Sequence, residues 1–180
     1  MILTVSGEIG AGKSTVARAL AESLGLRYVS SGEMFREEAR RRGVTISALG
    51  RLAENDASID RMIDDTQVGE SKAGRVVVES RLSGWLINGD VRVWLRAPID
   101  VRARRVAARD RVAPESARAE IETREASERR RYAALYRIDL DDLTRYHIVL
   151  DTAEWNADDI ARAIAGLARA LHGERSGRRA

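Results

Sequence analysis

The chain of 180 residues contains no cysteine, two prolines and one phenylalanine, and aromatic residues make up only 4% of it. Without cysteine, neither a disulfide framework nor a thiolate zinc site can form, which excludes small stapled secreted scaffolds. The scattered aromatic residues offer no stacking platform for single-stranded nucleic acid. No apolar run approaches the length of a membrane span and no basic leader precedes the first apolar segment, so we expect a cytoplasmic protein with no membrane partner.

Lysine is also scarce, since it occurs only at Lys13 and Lys72 among 31 lysine and arginine residues. The 28 acidic residues leave a net charge of +3, and the two signs are interspersed along the chain. This pattern is typical of an ion-paired surface rather than of a stripe that binds nucleic acid. We therefore expect no nucleic-acid partner. The length suits a single domain, which we expect to be a monomer.

One of the two lysines lies in residues 7–15, which match the phosphate-binding pattern G-x-x-x-x-G-K-[ST]. An apolar segment precedes the motif and a pattern with helical periodicity follows it, as this loop requires. Glycines let backbone N–H groups converge on phosphates, and the helix N-terminus favours their negative charge. The residues predicted to bind a nucleoside triphosphate are Gly7, Glu8, Ile9, Gly10, Ala11, Gly12, Lys13, Ser14 and Thr15. Lys13 is expected to reach the β- and γ-phosphates, and Ser14 to ligate magnesium.

Short apolar segments alternate with helical patterns along the chain, which predicts an α/β fold. The run of three valines at 76–78 shows no polar alternation, which favours parallel strands with both faces covered. Strands are predicted at 2–5, 27–29, 75–79, 91–95 and 146–150. Helices are predicted at 13–24, 31–42, 46–54, 59–72, 99–109, 114–131 and 157–171.

Two segments are too large to serve as simple crossovers. Residues 31–74 hold three helical patterns where a minimal connection between parallel strands needs one. Residues 106–143 are strongly charged and poor in large apolar groups, which predicts a mobile flap. The Gly-, Ser- and Arg-rich tail at 173–180 is expected to be frayed.

Polar residues follow two of the predicted strands. Ser31 and Gly32 begin a helix that carries Arg36, which either faces a phosphate or is an ordinary surface residue. Glu79 ends the third strand, where an acid commonly holds magnesium through water, and Arg81 follows it. The alternative for the latter two is an exposed ion pair of little energetic value.

Arg124, Glu128 and Arg131 are spaced so that they share one face of a predicted helix in the flap. The spacing by itself is typical of a salt-bridged solvent face. Beside a triphosphate site, guanidinium groups could instead stabilise the charge of a transferred phosphoryl group. A helix that grips an RNA backbone is the third interpretation.

Four segments carry a resemblance to nucleoside monophosphate kinases, above all to the archaeal type of cytidylate kinase. They are YVSSGEMFR at 28–36, VESRLSGW at 78–85, WLRAP at 94–98 and the segment from TRE to RY at 123–132, and the resemblance extends over residues 1 to about 171. It implies a P-loop kinase fold of three αβα layers around a five-stranded parallel sheet. In that fold, residues 31–74 bind the acceptor nucleotide and residues 106–143 form a helical lid.

The same resemblance implies ATP and Mg²⁺ as cofactors and CMP, with dCMP, as the acceptor. It implies that Lys13, Arg81, Arg124 and Arg131 act in catalysis, and that Ser14 and Glu79 serve the metal. The acceptor-binding residues implied in the same way are Ser31, Gly32, Arg36, Arg81, Arg124 and Glu128.

The chain departs from the family pattern at two positions beside Arg81. Ser80 replaces a glycine, and Leu82 replaces an aspartate that helps to recognise cytosine in the bacterial cytidylate kinases. The choice of base therefore stays open among CMP, UMP and AMP, and a small hydroxyl metabolite such as shikimate is a further candidate acceptor. An ATP-switched RNA-binding protein is the alternative from another functional class.

Overall fold

A computed structural model describes the backbone of residues 1–177 and the side chains of residues 1–171. It contains a five-stranded, entirely parallel sheet in the order β2-β3-β1-β4-β5, which confirms the predicted α/β class. The strands are β1 Ile2–Gly7, β2 Arg27–Ser30, β3 Val76–Glu79, β4 Val91–Arg96 and β5 Ile148–Asp151. The helices are α1 Lys13–Leu24, α2 Ser31–Arg41, α3 Ile46–Asn55, α4 Ala57–Ser71, α5 Ser83–Leu86, α6 Ile99–Asp110, α7 Pro114–Tyr136 and α8 Ala157–Gly177.

The three valines of β3 explain why the strand sequences are continuous apolar runs without polar alternation. Val77 packs in the core that α1 and α8 form on one face of the sheet, whereas Val76 and Val78 pack with Ile87 on the other face. Both faces of the sheet are therefore covered, and alternate side chains of each strand enter different cores. The resulting arrangement has three layers.

Strand register brings the polar strand ends together at one edge of the sheet. Val5 of β1 and Ser30 of β2 both lie opposite Glu79 of β3. Because parallel strands share the direction of their carboxyl ends, the connections that follow them meet at this edge. The phosphate loop, the start of α2 and the segment after β3 consequently face one another.

The three helices between β2 and β3 begin at side-chain caps. Ser30, Thr45 and Asp56 accept hydrogen bonds from the backbone N–H groups of Glu33, Ala48 and Ser58, respectively. Such caps satisfy N–H groups that have no partner within the helix. The cap at Asp56 also explains why α4 begins two residues before the predicted start.

The observed boundaries differ most from the predicted ones near the end of the charged segment at 106–143 and in the strand that follows it. Helix α7 continues to Tyr136, five residues past the predicted end, and stops at Arg137, which has a positive φ of 57°. Strand β5 begins at Ile148 rather than at Tyr146, because Tyr146 belongs to a turn in which its N–H donates to the carbonyl of Leu143. The four-residue helix α5 was not predicted, since one turn is too short to show a period.

Within the described residues, no helix combines the length and the apolar character needed to cross a bilayer. The prediction of a frayed tail at 173–180 concerns residues whose side chains lie outside the described part of the chain.

Candidate active site

The loop between β1 and α1 requires glycine at three positions for stereochemical reasons. Gly7, Gly10 and Gly12 have φ values of 146°, 82° and 87°. A Cβ atom at Gly7 would lie 2.1 Å from the carbonyl oxygen of Leu95 on the neighbouring strand. Glycine alone permits this combination of positive φ and close approach, so the loop can wrap tightly around a polyphosphate.

Charged side chains from α6 and α7 hold the outer part of the loop. Arg102 donates to the carbonyl oxygen of Ile9 at 3.0 Å and pairs with Glu125, whose carboxylate accepts the N–H of Ile9 at 3.1 Å. The carboxylate of Glu8 accepts the N–H of Ala97 at 3.0 Å. Glu8 and Ile9 were predicted to bind ATP, and the structure gives their polar groups partners that shape the loop.

Lys13 lies at the start of α1 and points back along the loop. Its Nζ donates to the carbonyl oxygen of Glu8 at 2.8 Å. Burial lowers the pKa of Lys13 to about 8, although the nearby carboxylate of Glu79 acts in the opposite direction. An anion bound in front of the amine would raise this pKa again.

Glu79 is the centre of a set of oxygen atoms at the sheet edge. Its Oε2 accepts hydrogen bonds from Ser30 Oγ at 2.6 Å and from Ser14 Oγ at 3.3 Å, and the residue is only 4% exposed. Hydroxyl and carboxylate oxygens suit Mg²⁺, which commonly takes one or two protein ligands and completes its shell with phosphate oxygens and water. The described residues contain no group of three or more acids, histidines or cysteines that could hold a metal alone. Ser14 and Glu79 therefore fit a magnesium ion that arrives with phosphates.

Arg81 crosses the gap between the sheet edge and α7. Its Nε donates to Glu128 at 2.7 Å and its Nη1 donates to the carbonyl oxygen of Gly7 at 2.5 Å. Glu128 thus orients Arg81, a contact that its predicted role in acceptor binding did not include. The arginine is held beside the first glycine of the phosphate loop.

The predicted face of α7 does point into one cleft, since Arg124, Glu128 and Arg131 all line it. Arg124 is half-buried, and its nearest acid is Glu120 at 3.8 Å. Arg131 is deeply buried, and its Nη1 donates to both carboxylate oxygens of Asp60 on α4 at 2.6 and 2.7 Å. The Nε of Arg131 is buried without a hydrogen-bond partner.

The start of α2 lies across the same cleft. Ser31, Gly32 and Arg36 line it, and the Arg36 side chain is exposed and reaches back over Gly32. The helix is capped by Ser30 rather than by Ser31, so Ser31 is its first residue. An exposed guanidinium at this position is available to bind an anion in the cleft.

Of the predicted site residues, all but Gly7 and Glu8 line a single cleft of about 970 Å³. Sequence analysis missed several residues that line it. Thr152, Trp155 and Asn156 follow β5, and their position after a strand end was the signal that could have identified them. Residues inside helices gave no comparable signal; they are Asp60, Ile63, Asp64, Arg105 and Arg109.

A glycine loop before a helix, a half-buried lysine, a serine and acid pair and arginines facing them across one cleft together define a phosphotransferase of the P-loop kinase class. Solved structures agree on the fold. The shikimate kinase of Acinetobacter baumannii in complex with shikimate has a TM-score of 0.58 at 22% identity, covering 92% of this chain and 91% of that one. A gluconokinase from Sinorhizobium meliloti has a TM-score of 0.60 at 22% identity, covering 97% and 95%.

Residues 2–154 match the model of the cytidylate kinase-like family, and the chain belongs to that family. It is 42% identical over 179 residues to the cytidylate kinase of Halobacterium salinarum, covering 97% of this chain and 93% of the relative. It is 44% identical over 156 residues to the cytidylate kinase of Methanothrix thermoacetophila, covering 87% and 91%. These relatives confirm the archaeal-type resemblance.

Proposed function

We propose that the protein transfers the γ-phosphoryl group of ATP to CMP, and also to dCMP, and so forms ADP and the corresponding diphosphate. The observation that carries this proposal is the meeting of Lys13, Arg81 and the lid arginines in one cleft large enough for two nucleotides. Relatives named cytidylate kinase support the choice of CMP.

In the proposed reaction an oxygen of the CMP phosphate attacks the γ-phosphorus of ATP, and the bond from that phosphorus to the β,γ-bridging oxygen breaks. ADP leaves with the bond's electron pair. The attacking phosphate is already an anion, so the enzyme needs little general-base catalysis, and alignment and charge stabilisation supply most of the rate. This explains why the cleft works without a histidine base.

Each group of the cleft then has a task. Lys13 and the loop's N–H groups bind the β- and γ-phosphates, and Ser14 with Glu79 would hold Mg²⁺, which neutralises phosphate charge when bound. Arg81 and Arg36 bind the phosphate of the acceptor. Arg124 and Arg131 stabilise the transferred group from the lid, which also excludes water from the reaction.

The donor nucleoside lies at the end of the cleft beyond the phosphate loop. Trp155 is 61% exposed there and offers an indole face for stacking against adenine. Thr152 connects this region to the loop, since its hydroxyl donates to the carbonyl oxygen of Ala11 at 3.0 Å.

The experiment that tests the proposal measures ADP release by the purified protein with ATP and Mg²⁺. CMP, dCMP, UMP, AMP and shikimate are supplied in parallel at matched concentrations, beside a sample without acceptor. We expect turnover to be highest with CMP, and a Lys13→Met control to lose most of it. Dominant turnover with AMP, UMP or shikimate would refute the acceptor, and turnover independent of any acceptor would refute the kinase.

A further inference from the structure

Asp64 is a carboxylate in the cleft for which the phosphate chemistry has no use. It lies on α4, one turn after Asp60, and lines the cleft with Ile63 and Leu82. Its Oδ2 accepts a hydrogen bond from the hydroxyl of Tyr136 at 2.7 Å. Tyr136 packs in the apolar cluster that contains Leu82. Asp64 therefore places a polar group against an otherwise apolar part of the wall.

The partners of Asp64 are neutral, in contrast to those of Asp60. Besides Tyr136, the amide Nε2 of Gln67 donates to Oδ1 at 2.6 Å. Among the side chains of residues 1–171, which the structure describes, none forms a salt bridge with Asp64. The guanidinium of Arg131 is paired with Asp60 instead. Asp64 is half-buried. Partial burial of a carboxylate without a cation still costs free energy, so this site keeps a hydrogen-bond acceptor at the expense of stability.

The free-energy cost of keeping this carboxylate without a cation indicates which kind of ligand group binds it. A carboxylate accepts hydrogen bonds only, and a neutral N–H donor on a ligand satisfies it without the cost of desolvating a second charge. Cytosine carries such a donor, its exocyclic 4-amino group, where uracil carries a carbonyl acceptor. The same carboxylate would thus attract one pyrimidine and repel the other.

We infer that Asp64 is a specificity-determining residue that accepts a hydrogen bond from the 4-amino group of the acceptor's cytosine, an inference that rests on the proposed function. Tyr136 and Gln67 fix the carboxylate for this contact. Leu82, which follows β3, gives this part of the cleft wall no polar group. Asp64 on α4 supplies a carboxylate there. Adenine also carries an amino group, so Asp64 discriminates against uracil and leaves the exclusion of purines to the shape of the cleft.

The test compares kcat/KM for CMP and for UMP in the wild-type protein and in Asp64→Asn. Asparagine has nearly the same shape and can rotate its amide to donate to the 4-carbonyl of uracil. Sites built to hydrogen-bond one substrate group commonly discriminate by 10²-fold or more, so we expect the CMP-to-UMP ratio to fall by about 10²-fold, with kcat/KM for UMP rising.

Asp65→Asn is the matched control, because it removes the same charge from the next residue, which is exposed and lies outside the cleft lining. It is expected to leave the ratio unchanged. Tyr136→Phe removes one support of the carboxylate and should lower the ratio by about tenfold. Circular dichroism of each variant checks that it is folded.

The outcomes separate the two proposals. A ratio in Asp64→Asn within threefold of the wild-type value, in a protein that phosphorylates CMP, would overturn the role of Asp64 and leave the proposed function standing. Equal falls in Asp64→Asn and Asp65→Asn would overturn it as well, since they would indicate an effect of charge alone. A wild-type protein that phosphorylates no pyrimidine nucleotide would overturn the proposed function and this inference with it.

Discussion

Lys13, which is half-buried, and Glu79, which is buried, carry charges of opposite sign beside the phosphate loop. Lys13 has a pKa lowered to about 8 by burial, with Glu79 opposing that shift. A bound triphosphate adds negative charge beside the amine and raises its pKa, so nucleotide binding and full protonation of Lys13 support each other. The loop is thus electrostatically adapted to a ligand that brings its own negative charge.

Asp64 gives the folded protein a pH dependence whose sign follows from its pKa. Burial raises the pKa of its carboxyl to about 6, the hydrogen bond from Tyr136 and the charge of Arg131 act against that shift, and Asp60 adds to it. The pKa of an unfolded aspartate is about 3.9. Between these values the folded state holds a proton that the unfolded state has released, so the free energy of unfolding falls as pH rises.

We expect Asp64→Asn to be more stable than the wild type at pH 7, by about 1–3 kcal/mol, with the gain absent near pH 4. The buried Oε1 of Gln67 has no partner, and a flip of that amide lets it accept from the new asparagine. Thermal unfolding from pH 4 to pH 8 measures the effect, with Asp65→Asn as control. A variant less stable than the wild type at pH 7 would show that the carboxylate is structural.

Helix α7 has different partners along its length. Near its middle, Glu125 binds the phosphate loop at Ile9, and further along, Arg131 binds Asp60 on α4. The helix consequently connects the phosphate loop to α4 across the cleft. Under the proposed function, a helix held at both places would respond when nucleotides bind on either side, and its closure would exclude water from the transfer.

The lid arginine provides a prediction at the scale of this element. Arg131→Ala is expected to lower kcat by about 10²–10³-fold while the Kd for ATP changes by less than about threefold, because the charge it stabilises develops on the transferred group. Steady-state kinetics with CMP and isothermal titration with ATP measure the two quantities, well below the temperature of unfolding.

Asp60→Asn serves as the comparison for Arg131→Ala. It breaks the charge pair and keeps the guanidinium, so it should retain more activity than the alanine variant. Equal losses of kcat and of ATP affinity in Arg131→Ala would contradict the assigned role and would indicate a general disturbance of the lid.

Elements were predictable where local chemistry determines them. The helix after the phosphate loop begins and ends as its periodicity predicts, and Pro114 begins α7 because proline suits the first helical turn. Helix α5 and the last turn of α7 were not predictable, since they depend on packing around Leu82 and Tyr132 rather than on a repeating pattern. Tyr146 was placed in β5 for its apolar character, but its ring packs on Trp94 from the preceding turn, with ring centres 5.2 Å apart.

At the scale of the whole molecule, strand topology explains which site residues the sequence could predict. Glu79 ends a strand, Lys13 and Arg81 follow strands, and parallel strands bring their carboxyl ends to one edge. Asp60 and Asp64 lie inside a helix, where two acids one turn apart resemble any solvent-facing pair. In the structure Asp60 is buried and Asp64 half-buried, which results from the packing of α4 against its neighbours and which no local pattern encodes.

Direct transfer between two nucleotides is the central claim, and phosphorus NMR of a reaction with ATP, Mg²⁺ and CMP tests it most directly. The account predicts that the γ-phosphate signal of ATP is replaced by the β-phosphate signal of CDP in equal amount, with ADP formed in step and almost no inorganic phosphate. Release of inorganic phosphate with CMP unchanged would contradict it, because the cleft would then hydrolyse ATP without joining the two nucleotides.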